Sequence, residues 1–72
     1  MKDDISQMFL RALEIHKAGH LDLAAESYLA LLQTSPHYSS ALHNMGVVLA
    51  QKRKQNEAIA YFDRAIAAVP DY

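Results

Sequence analysis

Few side chains in this chain have the type and spacing that enzymatic chemistry requires. With two glycines in 72 residues, the chain lacks a glycine-rich loop that can hold a phosphate. It contains no cysteine, which excludes a disulfide framework, a thiolate metal site and a thiol nucleophile. Candidate serine nucleophiles show no pattern of a base and an orienting group at Ser27, Ser35, Ser39 and Ser40. The sequence therefore predicts a protein that is not an enzyme, with no catalytic residues and no cofactor.

His16 and His20 are four residues apart, the spacing that places two metal ligands on one face of a helix. Gly19 is expected to break the helix between them, and no carboxylate completes a set of ligands. The sequence favours a pair of surface histidines over a metal site.

The charges are nearly balanced, with seven basic and eight acidic residues and a net charge of -1. This balance gives no broad positive surface for nucleic acid, and the cluster Lys52-Arg53-Lys54 is read as a solvated helix end that complements the helix dipole. No apolar run approaches the roughly 20 residues that span a bilayer. We therefore expect no nucleic acid partner, no membrane partner and a cytoplasmic location.

The elements that must position these side chains are helices. Ala and Leu dominate the apolar 51% of the chain, and apolar residues recur at alternating spacings of three and four. The pattern predicts four helices, over about 4–18, 22–34, 39–52 and 56–68. Short connections between them require successive helices to lie antiparallel, as two helical hairpins.

The ends of these helices carry recognisable signals. Gly19 is expected to end the first helix in a left-handed conformation, and Pro36 and Pro70 are expected to end the second and the fourth. Side chains of the types that cap helix N-termini precede or open each helix: Asp4 with Gln7 as a capping box, Asp22 as a cap or dipole partner, Ser39 or Ser40, and Asn56.

The two hairpins are related by a shift of 34 residues along the sequence, which we call the repeat shift. It superposes Ala24 on Ala58, Pro36 on Pro70 and Tyr38 on Tyr72. It also matches residues of similar physical type: Tyr28 with Phe62, Ala12 with Gly46, Met8 with Leu42 and Ile15 with Leu49. A small residue in each first helix lets the second helix approach closely, and an aromatic ring fills the adjacent space. The chain therefore contains an internal repeat.

These positions resemble the tetratricopeptide repeat family over residues 5–72. The second repeat matches the family's large, small, aromatic and proline positions in order, in Ala41–Leu49, Glu57–Phe62, Ala65-Ile66 and Pro70. The resemblance implies an all-α fold, an α-α superhelix of two helix-turn-helix hairpins. We expect a single domain over 1–72, with repeats at about 5–38 and 39–72, as part of a longer protein.

Two residues depart from the family pattern. Arg11 stands where an apolar residue is usual, just before the small Ala12. Arg53 stands where Gly19 lies in the first repeat, and an arginine forced to positive φ there costs about 1 kcal/mol.

The resemblance implies a protein-interaction scaffold with a concave groove for a peptide or a partner helix. The groove residues that it implies are Phe9, Leu13, His16, Lys17, Tyr38, His43, Asn44 and Val47. Phe9 and Leu13 can equally belong to the core. They also occupy the places of the lysine and asparagine that clamp a peptide carboxylate in some members, which disfavours binding of a chaperone tail.

Two other functions stay open. The last helix leaves Ile59, Ile66 and Val69 facing the place where a third repeat would pack, so the module can act in self-association, as a homodimer, or in stacking within a longer solenoid. Alternatively, the repeats can precede the catalytic domain of a larger enzyme.

Overall fold

The computed structural model describes residues 4–68 and folds them into four α-helices. These are α1 (Asp4–Lys17), α2 (Leu21–Thr34), α3 (Ser39–Gln51) and α4 (Gln55–Ala68). All four predicted helices are confirmed, each with bounds within one residue of those expected. No strand occurs in this range. Val69 and Pro70, the predicted end of α4, lie outside the described residues.

Each helix packs against the next one along the chain, α1 on α2, α2 on α3 and α3 on α4. The short connections make each pair antiparallel, so the described residues form two hairpins stacked side by side, with extents of 36 × 32 × 18 Å. The predicted all-α architecture of two helical hairpins is confirmed.

One continuous apolar core runs through all four helices. The small residues predicted to allow close helix packing are buried in it, Ala12 in α1 and Gly46 in α3. A Cβ atom added to Gly46 would lie 2.6 Å from the ring of Phe62, so this glycine is what lets α4 approach α3. The largest fully buried side chains are Tyr28, Leu31, Leu42 and Val48.

The turns within the two hairpins have the same hydrogen bonds at positions related by the repeat shift. The amide of His20 donates to the carbonyl of Ile15 at 3.2 Å, and the amide of Lys54 donates to the carbonyl of Leu49 at 2.8 Å. Such bonds close a helix C-terminus around a left-handed residue. That residue is Gly19, with φ 90°, in the first turn and Arg53, with φ 68°, in the second. The predicted left-handed conformation of both residues is confirmed.

The caps predicted for α2 and α3 are wrong. His20 and Tyr38 occupy the positions before these helices, and neither side chain accepts a hydrogen bond there. The residues predicted as caps of α2, α3 and α4 lie instead inside their helices, in or near the first turn: Asp22, Ser39, Ser40 and Asn56. The capping box of Asp4 with Gln7 stays a prediction, because Asp4 is the first residue that the structure describes. A good cap contributes about 1 kcal/mol, less than the packing of a large ring such as that of Tyr38. The charge of Asp22 does lie in the first turn of α2, where it favours the helix dipole.

Over residues 4–68, no helix is both long enough and apolar enough to cross a membrane.

Candidate functional site

The hydroxyl of Tyr28 is the centre of a hydrogen-bond network that joins both repeats. The amide nitrogen of Asn44 in α3 donates to this oxygen at 3.3 Å. On its other side the Tyr28 oxygen lies 3.1 Å from Nδ1 of His16, in α1. The Nε2 atom of His16 lies 2.8 Å from Oε1 of Gln51. One consistent set of donors results: Tyr28 donates to Nδ1, and His16 donates from Nε2 to Gln51.

Burial of the Tyr28 ring changes the pKa of its hydroxyl. Tyr28 is fully buried, and burial raises the pKa of its hydroxyl above the usual value, while the hydrogen bond from Asn44 opposes that shift. The neutral hydroxyl is therefore the form that the fold holds. Because α1, α2 and α3 each supply a partner, the network links the two repeats by hydrogen bonds.

Two of the predicted groove residues pack into the core. The ring of Phe9 lies 5.7 Å from the ring of Tyr38 and 6.1 Å from that of Tyr28, between centroids. Phe9 and Tyr38 are half-buried and belong to the apolar side chains packed against the core. Of the two interpretations left open for Phe9, the structure favours the core, and Tyr38 closes the other side of the same aromatic cluster.

Leu13 and Val47 are placed differently. They are half-buried, yet in the part of the chain that the structure describes they are not among the apolar side chains packed against the core. The repeat shift relates them, so they occupy the same position in α1 and α3. They form the apolar part of the predicted groove, and we call them the groove pair.

The remaining predicted groove residues surround this pair. His43 is exposed, with its ring 5.4 Å from the ring of Phe62, an arrangement that repeats the contact of Phe9 with Tyr28 one repeat earlier. Asn44 is half-buried in the network, and Lys17 is exposed at the end of α1. Whether these residues bind a ligand stays a prediction.

His16 is not available as a metal ligand, because both of its ring nitrogens are hydrogen-bonded. His20 lies beyond α1, in the turn, so the two histidines are not on one helix. No group of three or more histidine, aspartate or glutamate side chains is placed to hold a metal within residues 4–68.

One member of the basic cluster has a structural role. Lys52, the residue that caps the C-terminus of α3, donates a hydrogen bond to the carboxylate of Asp22 at the start of α2. This hydrogen bond, together with the positive charge of Lys52, lowers the pKa of Asp22. The pair links the two repeats at the surface, and it supports the interpretation of the cluster as a solvated helix end rather than a phosphate site.

Sequence reasoning missed Gln51, Lys52 and Asp22 as partners between repeats. Gln51 is equivalent by the repeat shift to Lys17, which immediately follows His16. The repeat shift therefore places Gln51 at the end of α3, just as Lys17 lies at the end of α1. This equivalence is the sequence signal that could have identified Gln51 as a partner of His16. Nothing in the local sequence pairs Lys52 with Asp22, which is 30 residues away.

The predicted self-association face is exposed where it is described. Ile59 is 55% exposed and Ile66 is 70% exposed. Leu32, the equivalent of Ile66 in the first repeat, is only 7% exposed, because α3 packs on α2. Val69, the third residue of this face, lies outside the described residues.

Comparisons with known proteins agree with this architecture. The model of the family described as "Tetratricopeptide repeat" matches residues 39–72. The chain is 37% identical over 68 residues to the human protein named "Protein O-mannosyl-transferase TMTC1". That alignment covers 93% of this chain and 8% of the relative, so the chain spans a small part of the protein that it matches. No solved structure matches the chain at a significant level.

Proposed function

Because this chain belongs to the tetratricopeptide repeat family, whose repeats are generally protein-interaction modules, we propose that it binds a peptide or partner helix along the surface formed by α1 and α3. The groove pair carries the proposal. Leu13 and Val47 are apolar, partly open to solvent and outside the core, at the same place in both repeats. Apolar side chains that the core does not use are available to anchor a ligand.

The polar residues around the groove pair suit an extended ligand. His43 and Lys17 are exposed on the same helices, and α3 contains no acidic or basic residue other than His43. The exposed amide of Gln51 can bond to a peptide backbone once it exchanges its present partner, His16. We propose no chemical reaction at this surface. The surface positions a partner.

A phage-displayed library of random twelve-residue peptides tests this function, with the 72-residue chain as the immobilised target. Peptides selected on the wild-type chain should lose at least tenfold in affinity towards Leu13→Glu and towards Val47→Glu. The matched control is Leu23→Glu, which puts the same charge on an apolar side chain that is 51% exposed elsewhere. It should bind like wild type. Circular dichroism must show that all three variants stay helical.

Two results would contradict groove binding. One is that no peptide is enriched on the wild-type chain over an empty support. The other is that selected peptides bind Leu13→Glu and Val47→Glu as tightly as wild type.

The exposure of α4 favours a second candidate, stacking through the last helix. By the repeat shift, Ile59 and Ile66 of α4 are equivalent to residues of α2 that α3 covers. A helix with the apolar pattern of α3 therefore fits against α4. Burial of these two side chains would contribute about 1.5 to 3 kcal/mol each. Ile66→Glu should abolish any concentration-dependent association seen by sedimentation equilibrium, since it would bury an unpaired carboxylate. An association state unchanged by Ile66→Glu would exclude this candidate.

A further inference from the structure

Gln51 carries a hydrogen-bond donor whose direction is set by the network around Tyr28. Tyr28 accepts a bond from Asn44, so its own hydroxyl hydrogen goes to Nδ1 of His16. A neutral histidine that accepts at Nδ1 carries its hydrogen on Nε2, which lies 2.8 Å from Oε1 of Gln51. The amide oxygen of Gln51 therefore faces His16. Within residues 4–68 the amide nitrogen has no acceptor, so it can donate to a ligand while the oxygen stays bonded to His16.

Lys17 supplies a second donor beside the first. The repeat shift pairs Lys17 with Gln51, as it pairs Leu13 with Val47. Each donor follows a member of the groove pair by four residues, which places it on the same helix face, about 6 Å further along the axis. Both donors are exposed, and in the described part of the chain Lys17 makes no ion pair. An ammonium group and an amide nitrogen therefore border the apolar groove pair.

The charges around these two donors favour an anionic ligand group. None of the predicted groove residues is acidic, and α3 contains no carboxylate. Because successive helices are antiparallel, α1 and α3 end on the same side of the molecule. Lys17 and the cluster Lys52-Arg53-Lys54 place four of the chain's seven basic residues there. Two acidic residues lie on that side at the starts of α2 and α4, Asp22, which is paired with Lys52, and Glu57.

The helix dipoles do not oppose this charge. The C-termini of α1 and α3 carry partial negative charge, but α2 and α4 begin on the same side, and their N-termini carry partial positive charge of equal size. The basic side chains therefore decide the sign of the field at the donors, and a carboxylate is the ligand group that matches it.

We infer that Lys17 and the amide of Gln51 bind an acidic side chain of the same peptide whose apolar residues lie on the groove pair. The inference rests on the proposed function, because it names the ligand class of that groove: a segment with an aspartate or glutamate within a few residues of an aliphatic side chain. A carboxylate accepts from both donors, one bond to each oxygen. The lysine and asparagine that clamp a peptide carboxylate in some family members have other positions, occupied here by Phe9 and Leu13.

The peptides selected from the random library on the wild-type chain are the probes. Each is synthesised with a C-terminal amide, so that only its side chains carry carboxylates. Fluorescence anisotropy compares it with a version in which the acidic residues are replaced by the corresponding amides. The replacement should weaken binding to the wild-type chain by about fivefold or more, because it removes charge-assisted hydrogen bonds.

Two variants of the chain test whether these two residues cause that loss. Gln51→Glu keeps an oxygen that accepts from His16 and replaces the donor nitrogen with a charged oxygen. Lys17→Gln removes the positive charge. On either variant the amide version of the peptide should bind within about twofold of the acidic version, or more tightly.

Gln33→Glu and Arg11→Gln are the matched controls. They make the same chemical changes at exposed residues, in α2 and on α1. Arg11 is two residues from Leu13, so helical spacing places it on the opposite side of α1. Both control variants should distinguish the acidic peptide from its amide version as wild type does.

The outcomes separate this inference from groove binding itself. Selected peptides that lack acidic residues, or that bind wild type equally well as their amide versions, would overturn the inference alone, provided that Leu13→Glu and Val47→Glu still abolish binding. A preference for the acidic peptide that survives in both Gln51→Glu and Lys17→Gln would do the same. A library that yields no binder of the wild-type chain would overturn both proposals.

Discussion

At the scale of single residues, the difference between Tyr28 and Phe62 separates the two repeats. Both rings fill the same place beside a small residue, Ala12 or Gly46. Only Tyr28 carries a hydroxyl, and that hydroxyl joins α1, α2 and α3 through His16 and Asn44. The first repeat is thus joined to the second by hydrogen bonds in addition to the apolar packing of α2 on α3, whereas the ring of Phe62 contributes packing alone.

Tyr28→Phe removes the hydroxyl and should reduce the free energy of unfolding by about 1 kcal/mol, the typical net value of a hydrogen bond. The loss stays modest because the network reaches half-buried side chains that water can approach. Urea unfolding followed by circular dichroism measures it. Tyr61→Phe is the control, since Tyr61 is only half-buried, and should change the free energy by less than half as much. Equal effects would show that the network contributes nothing.

The raised pKa of Tyr28 also predicts that the free energy of unfolding falls at alkaline pH. Its pKa is raised in the folded state from the usual value of 10.0, so above that pH the unfolded chain releases the proton more readily than the folded chain. The stabilisation is complete below pH 10 and is lost as the pH rises towards the higher folded pKa. Urea unfolding from pH 9 to 11 should therefore show a steeper loss for wild type than for Tyr28→Phe. Parallel curves would contradict the burial argument.

Gly46→Ala should destabilise the protein by about 1 to 3 kcal/mol, the usual range for overpacking. The sign of this change in stability is informative, because alanine in place of glycine inside a helix otherwise stabilises a protein by about 0.5 to 1 kcal/mol. The added Cβ would lie 2.6 Å from the Phe62 ring. In a double-mutant cycle, Phe62→Leu should reduce the penalty. A Gly46→Ala variant more stable than wild type would show that α3 and α4 are not this close.

At the scale of elements, the periodicity of apolar residues predicted all four helices, because one face of each helix is buried and that face is apolar. Cap positions could not be predicted in the same way. Ser39, Ser40 and Asn56 have suitable side chains, but the start of a helix depends on the turn before it. The turns before α2 and α4 contain the residues with positive φ, Gly19 and Arg53. The turn before α3 is closed by the bond that the Tyr38 amide donates to the Ser35 carbonyl at 3.1 Å. The repeat shift pairs Arg53 with Gly19, and it therefore predicted the positive φ of Arg53 correctly.

Arg53→Gly should raise the free energy of unfolding by about 1 kcal/mol, because glycine adopts positive φ without the steric penalty that arginine meets. Gly19→Ala provides the reverse experiment in the equivalent turn. Since a Cβ there meets no atom within 4 Å, its cost, again about 1 kcal/mol, should come from the backbone alone. Thermal unfolding of both variants measures the two shifts, and shifts of the same sign would disprove the shared turn geometry.

At the scale of the whole molecule, the resemblance to tetratricopeptide repeats predicted the stack of two hairpins and the side on which the groove is expected. It did not separate side chains that build the stack from those that are free to bind. Phe9 and Tyr38 pack against the core, whereas Leu13 and Val47 do not, although all four side chains are half-buried. That distinction depends on which side chains of the neighbouring helices lie against each position, which the spacing of residues within one helix does not reveal.

Binding of a protein partner by the surface of α1 and α3 can be measured by two-dimensional 15N–1H NMR of the chain, titrated with a peptide selected from the library. We expect the largest amide shifts to cluster at Leu13, His43, Val47 and Gln51, with little change along α4. Shifts centred instead on Ile59 and Ile66 would contradict the groove and make the last helix the binding surface.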